Sequence, residues 1–170
     1  FVIEASSYQL EYSKIFKSKY SVILNITPDH IERHKSFKNY INAKFRLIDS
    51  QSTKSVAFLK RNDPVIIKKL RSKNYKQKII KIDTSLQPPI FKNIRNKYFI
   101  SSSNRDNIIF VLKICKMLKL NEEKILKTIN KFKGLKYRQQ IIFVNNYLTI
   151  INDSKSTSLA SSENLLKNLK

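Results

Sequence analysis

Glycine is nearly absent from this chain, with Gly134 the single example among 170 residues. A phosphate-cradling loop of the form G-x-x-x-x-G-K-S/T needs two glycines, so the chain contains none. Cysteine is as rare. Cys115 stands alone and no internal disulfide is possible, which fits a reducing cytoplasm. Its place in the apolar run 108–118 marks it as a core residue rather than a nucleophile. No apolar run approaches the ~20 residues that a membrane span requires, while hydrophobic residues at 41% suffice for a globular core. Negative charge is short too. Twelve Asp+Glu face 34 Lys+Arg, a formal charge of +22, which alone suggests a binder of nucleic acid or an anionic surface. The basic residues, however, are mostly lysine, are spread along the chain, and accompany many isoleucines and asparagines, a bias that an AT-rich genome produces. No helix-turn-helix, zinc-finger or aromatic RNA-binding signature joins them. The nucleic-acid module is therefore the lesser reading, and the positive field serves to collect small anions.

What is present is concentrated at strand ends. The apolar run 21–24 empties into Asn25-Ile26-Thr27-Pro28-Asp29-His30-Ile31-Glu32-Arg33-His34. In open α/β sheets reactive groups gather beyond the carboxyl ends of strands, and this loop offers an amide, a hydroxyl, a carboxylate and an imidazole. A metal or phosphate site fits it, and so does a helix N-terminus capped by Thr27 or Asp29. Phe1-Val2-Ile3 reads as a second, parallel strand breaking into Glu4-Ala5-Ser6-Ser7, which brings Glu4 beside His30. From Ser36 onward, Phe37, Tyr40, Ile41, Phe45 and Ile48 follow helical spacing. Lys44 falls on or beside the buried face, either as a stem that snorkels to water or as a group pointing into a carboxylate-lined crevice. The His30/His34 spacing suits zinc, but the rest of a zinc shell is missing.

Further on, 55–59 and 78–82 read as strands separated by a helix that opens at Asp63-Pro64, a βαβ rhythm. A loop at Gln87-Pro88-Pro89 and a short strand at Tyr98-Phe99-Ile100 follow. Helices over 107–118 and 122–132 come next, and Lys133-Gly134 reads as a hinge because glycine relaxes the backbone.

Together, Glu4-x-Ser6-Ser7-x-Gln9-Leu10-Glu11, Asn25-x-Thr27-x-Asp29-His30-x-Glu32-Arg33-His34 and Ala43-Lys44-x-Arg46 resemble the central ATPase domain of the Mur ligases, the ATP-dependent amide ligases of peptidoglycan synthesis. Gly134-Leu135-Lys136-Tyr137-Arg138 is similar to the family's G-L-x-H-R segment, and Asn152-Asp153-Ser154-Lys155-Ser156-Thr157 to its N-D-S-K-A-T segment. The first and last motifs are nearest to the branch that adds D-glutamate to UDP-N-acetylmuramoyl-L-alanine; sister branches add alanine, a diamino acid or a dipeptide. The resemblance covers the whole chain. It implies an α/β fold, with a P-loop-type central domain over 1–133 that lacks its P-loop segment and the start of a Rossmann-like C-terminal domain over 134–170. It also implies a fragment, with a nucleotide-sugar domain and the glycine-rich loop upstream and further C-terminal domain beyond Lys170. The expected parent is a cytoplasmic monomer with neither nucleic acid nor membrane as partner.

The family reaction places the ATP γ-phosphoryl group on the substrate's terminal carboxylate, and the amine of D-glutamate then attacks the acyl phosphate. Neutralising charge is its main demand. The resemblance implies two Mg2+ ions, with Glu4 a ligand of the ion bridging the β- and γ-phosphates and His30 a ligand of the second. It makes Lys44 the lysine that CO2 carbamylates, turning a cation that would repel Mg2+ into an anion with two oxygens. It assigns Arg138 to the γ-phosphate, Asn107 to the adenine edge and Asp153 to the ribose. Lys155 would meet the phosphate or the incoming glutamate, Ser6 the substrate, and Ser156 with Thr157 the glutamate carboxylate at the start of a helix. Ordinary helix capping accounts for Asn104, Asn107, Ser156 and Thr157 equally well. Two departures stand out: Ser101 and Ser103 replace the glycine and histidine of the family's G-x-H-N-x-x-N segment, and Tyr137 replaces the histidine beside Arg138.

Overall fold

The structure of the protein, a computed structural model, describes residues 1–99, 102–156, 162–163 and 166. The chain forms two compact units, Phe1–Ser85 and Leu86–Lys170. The first runs α1 (Ser7–Tyr12), β1 (Tyr20–Ile23), α2 (Ile31–His34), α3 (Phe37–Asp49), β2 (Val56–Lys60), α4 (Pro64–Arg71) and β3 (Lys78–Ile82). Its three strands lie in the order β1-β2-β3, all parallel, with Ser21 opposite Ala57 and Ala57 opposite Ile79. Ala57, Phe58 and Leu59 of the central strand are buried in succession, as a parallel strand covered on both faces requires.

Local sequence explains the helices. Ser36 caps α3 by accepting from the Asn39 N–H at 3.1 Å, and the helix buries Tyr40, Ala43, Phe45 and Ile48 along one stripe. Of these, Tyr40, Phe45 and Ile48 pack with Ile23, Ala57, Leu59 and Ile66 into the core of this unit. Asp63 caps α4, its Oδ1 accepting from Val65 and Ile66 at 2.9 Å each, and Pro64 occupies the first turn, where its missing N–H costs nothing.

In the second unit, 3-10 turns at Pro89–Asn93 and Lys97–Phe99 precede α5 (Ser102–Met117) and α6 (Glu122–Lys131). Ile90, Ile108, Leu112 and Ile129 form one buried cluster within it. An antiparallel hairpin follows, β4 (Gln140–Val144) and β5 (Thr149–Asn152), with its register shifted between Ile141 and Phe143. Cys115 is half-buried, and burial pushes its thiol up, in keeping with a packing role. Gly134 has φ +76°, and a Cβ there would sit 2.8 Å from the Tyr98 ring; both the backbone and the close approach demand glycine. Among the described residues no helix is long and apolar enough to cross a membrane.

Three expectations are corrected. No strand forms over residues 1–3: Phe1, Val2 and Ile3 are exposed, and no strand among the described residues pairs with them. An extended segment needs a ladder partner for its backbone groups. The parallel strand pair expected to deliver Glu4 to His30 falls with it. Tyr98 and Phe99 lie in a 3-10 turn, not a strand, because Asn96 Oδ1 accepts from the Tyr98 N–H at 3.0 Å and closes an Asx turn. Finally, α5 begins at Ser102, so Asn107 lies in its second turn and cannot cap it; Ser101 is outside the described residues.

Candidate active site

The loop after β1 is pinned by a distant carboxylate. Ile26 donates its backbone N–H to Asp63 Oδ2 at 3.0 Å, so the residue that caps α4 also holds this loop. Asp29 Oδ1 accepts from the His30 N–H at 3.0 Å, and its Oδ2 lies 3.4 Å from His30 Nε2. His30 occupies the N-cap position of α2 at φ +52° and makes no side-chain cap. Neither Thr27 nor Asp29 caps that helix, so the capping expectation is not met. A left-handed histidine is uncommon, and such outliers concentrate at functional sites.

Lys44 lies one helical turn beyond Tyr40 on α3. Its Nζ sits 5.2 Å from the Tyr40 ring centroid. Burial holds the Lys44 ammonium below its ordinary range, and the Asp29 carboxylate offsets part of that effect. Burial, followed by Asp29 and Tyr8, pushes the Tyr40 phenol up. Asp29 thus acts on both Tyr40 and Lys44, and the polar loop at the carboxyl end of β1 shares its surroundings with the middle of α3. Between them, Tyr8 lies 5.0 Å from the His30 ring and stacks on His34 at 5.5 Å, while Tyr40 meets His34 edge-on at 5.5 Å.

A desolvated lysine spends more time as the neutral amine, and that is the form that combines with CO2. The donor chemistry around it suits Mg2+ only after that change, since Mg2+ prefers oxygen ligands and an ammonium repels it. Among the described residues no three His, Cys, Asp or Glu side chains converge as a ready metal shell. A divalent ion here would therefore need oxygen from a modified Lys44, from substrate or from water, beside His30. Glu4 is exposed in the segment just before α1. Ser6 closes a capping box, accepting from the Gln9 N–H at 3.2 Å and donating its own N–H to Gln9 Oε1 at 2.8 Å.

Within the second unit, Asp153 Oδ1 accepts from the Gln139 N–H at 3.0 Å, and the Lys155 N–H donates to the Tyr137 carbonyl at 3.0 Å. The Arg138 and Asp153 charges both act on Tyr98, whose phenol burial pushes up. The Leu135-to-Arg138 turn and the end of β5 thereby bring Arg138, Asp153 and Lys155 together. Ser156 Oγ lies 3.2 Å from Ser162 Oγ; Thr157 is outside the described residues. Asn107 is exposed on α5, whereas Asn104 is buried and donates to the Tyr98 carbonyl and to Gln139 Oε1. Sequence reasoning missed Tyr8, Glu11 and Tyr40 as neighbours of the site. Helical spacing set Glu11 one turn from Ser7 and Tyr40 one turn from Lys44, and Glu11 also closes the motif Glu4-x-Ser6-Ser7-x-Gln9-Leu10-Glu11.

The model of the Mur ligase middle domain family matches residues 1–134. The chain belongs to that family. Among curated relatives of this Mur ligase chain, the UDP-N-acetylmuramoylalanine--D-glutamate ligase of Fusobacterium nucleatum is 33% identical over 95% of the chain and 40% of the relative. The ligases of that name from Elusimicrobium minutum and Rickettsia prowazekii are each 31% identical, over 94% and 99% of the chain and 38% and 42% of the relatives. The chain thus spans about 40% of the length of the curated relatives it matches. The family expected from the order of the motifs is the family found.

Proposed function

We propose that this chain is part of an ATP-dependent ligase that joins D-glutamate to UDP-N-acetylmuramoyl-L-alanine in the cytoplasmic stage of peptidoglycan synthesis. The observation that carries the reading is Lys44: half-buried, with its ammonium disfavoured, beside the Asp29-His30 loop of a Mur ligase chain. Residues 1–133 are read as the P-loop-type central domain, which the family match over 1–134 supports, and 134–170 as the opening of a Rossmann-like domain. The protein is read as a monomer.

In this reading Lys44 is carbamylated: its neutral Nζ adds to CO2, a nitrogen–carbon bond forms, and the nitrogen proton leaves to solvent. His30, Glu4 and the carbamate are the proposed Mg2+ ligands, and the bound ions would neutralise phosphate charge. The chain's own residues do the rest. Asp29 orients His30 and compensates the positive charges around it. Arg138 offers a planar fork for a phosphoryl group, Asp153 an acceptor for the ATP ribose, and Lys155 a point charge for phosphate or for the glutamate carboxylate. Ser6, Ser156 and Thr157 are assigned to substrate, and Asn107 to the adenine edge.

The test is a substrate panel on the intact protein, with L-alanine, D-glutamate, meso-diaminopimelate, L-lysine and D-alanyl-D-alanine as competing nucleophiles. D-glutamate alone should support ADP release with UDP-N-acetylmuramoyl-L-alanine. Preference for another member would assign the protein to a sister branch.

A further inference from the structure

His34 has no part in that scheme, yet its side chain is enclosed, at 1% exposure. It is held on every side. Ser7 Oγ lies 3.0 Å from its Nε2, and Glu11 Oε2 lies 3.7 Å from its Nδ1. That Glu11 oxygen is buried and meets no hydrogen-bond partner among the described residues, a costly state that calls for an explanation. Arg33, which donates to the Tyr12 hydroxyl and lies over the Tyr8 ring, brings NH2 only to within 3.8 Å of the same oxygen.

The partners of the two ring nitrogens call for a proton on Nδ1. A carboxylate accepts only, whereas a hydroxyl both donates and accepts. With the proton on Nδ1, His34 points its N–H at Glu11, and Ser7 donates to the free Nε2. The other tautomer aims a nitrogen lone pair at a buried carboxylate. From 3.7 Å, closing the gap to a hydrogen bond takes a shift of roughly 0.5–1 Å.

Two rings rest on this imidazole. Tyr8 stacks on it at an interplanar angle of 18° and also meets the His30 ring, tilted, at 5.0 Å; Tyr40 meets it edge-on and carries the Lys44 Nζ over its own ring. His34 therefore stands midway in the sequence His30, Tyr8, His34, Tyr40, Lys44, linking the loop after β1 to α3. We propose that His34, fixed by Ser7 and Glu11, is a positioning residue that sets the spacing and dryness of the His30 and Lys44 centre through Tyr8 and Tyr40. Loss of the pinned ring removes the support behind Tyr8 and Tyr40, so the Lys44 Nζ is no longer held over the Tyr40 ring, facing the loop after β1, where the carbamate is read to form. This rests on the reading of Lys44 given above, and the experiment separates the two.

The intact protein is equilibrated with 13C-bicarbonate, and the carbamate carbon is followed by NMR with Lys44→Ala as the blank, well below the unfolding temperature of every variant. His34→Leu fills the space but removes the ring stacking and both polar ends; Glu11→Met keeps much of the shape and removes both acceptor oxygens. Both should lower carbamate occupancy by at least about fivefold, the low end of site-to-site coupling, and 15N spectra should show the wild-type His34 proton on Nδ1. A residue with only a structural role would lower the melting temperature and leave occupancy intact. Wild-type protein without a Lys44-dependent carbamate overturns the Lys44 reading and this proposal with it. A carbamate that persists in folded His34→Leu, or in Glu11→Met should His34→Leu fail to fold, overturns this proposal alone, as does a His34 ring with no proton on Nδ1.

Discussion

Tyr75 carries a buried hydroxyl that meets no hydrogen-bond partner among the described residues. Burial, then the Asp49 carboxylate, push its phenol from 10.0 up to about 12. The unfolded chain releases that proton first, so across this window it binds fewer protons than the folded state and stability falls as pH rises. Tyr75→Phe should flatten that alkaline loss, and near neutral pH it should leave stability unchanged or raise it by up to ~1 kcal/mol, because an orphaned polar group disappears. Urea melts at neutral pH and again above pH 10 measure both effects; an unchanged alkaline slope would count against the assignment. Lys44 poses the complementary question, one of charge sign. On the proposed ligase reading, Lys44→Ala should nearly abolish turnover of the intact protein. Lys44→Arg should do the same, since a guanidinium stays protonated and cannot be carbamylated. An exposed helix lysine would tolerate both changes within ~0.5 kcal/mol, so near-normal turnover in Lys44→Arg would remove the carbamate from the mechanism.

Asp63 couples two elements. Its Oδ1 caps α4 and its Oδ2 holds the Ile26 N–H of the loop after β1. Asp63→Ala removes a cap and leaves a buried N–H without a partner, an expected loss of about 2–4 kcal/mol. Asp63→Asn keeps one acceptor oxygen and should cost less; equal losses in denaturant melts would mean that only one of the two roles matters. The cap itself was legible, because Asp-Pro before an apolar stripe announces a helix start within a few residues. The strand at Lys78–Ile82 and the α3 stripe from Phe37 to Ile48 were legible for the same reason, their patterns being local. Asp63 reaching back to Ile26 was not, since nothing in the sequence records a contact spanning 37 residues. Phe1-Val2-Ile3 misled because an apolar run describes a preference, and a strand also needs a partner. Tyr98-Phe99 misled because one Asn96 side chain closed a turn ahead of it. Likewise Lys44 and His30 could be picked out by residue type and position, whereas the stack of Tyr8, His34 and Tyr40 joins three helices and exists only after they pack.

The formal charge of +22 belongs to the whole chain rather than to any site. Spread along the sequence and screened beyond ~8 Å at physiological salt, it should gather nucleotides and carboxylates weakly and read no base sequence. Duplex DNA titrated into the protein should bind in the ~10⁻⁴–10⁻⁶ M range, with affinity falling steeply as salt rises. Sequence-dependent binding near ~10⁻⁸ M at physiological salt would restore the nucleic-acid reading. Catalysis imposes a stricter condition than attraction. Phosphoryl transfer requires the phosphates to be held in line by donors placed in advance, and a backbone cradle for them is built on closely spaced glycines. With Gly134 as its single glycine, already committed to the turn beside Tyr98, these 170 residues have no such cradle. The 170-residue chain alone, supplied with ATP, Mg2+, UDP-N-acetylmuramoyl-L-alanine and D-glutamate, should therefore release no ADP above a protein-free blank, even if a carbamate forms at Lys44. ADP release that exceeds the blank and disappears in Lys44→Ala would show that the phosphates are held by some other device, and Arg138 and Lys155 would be the first side chains to substitute in finding it.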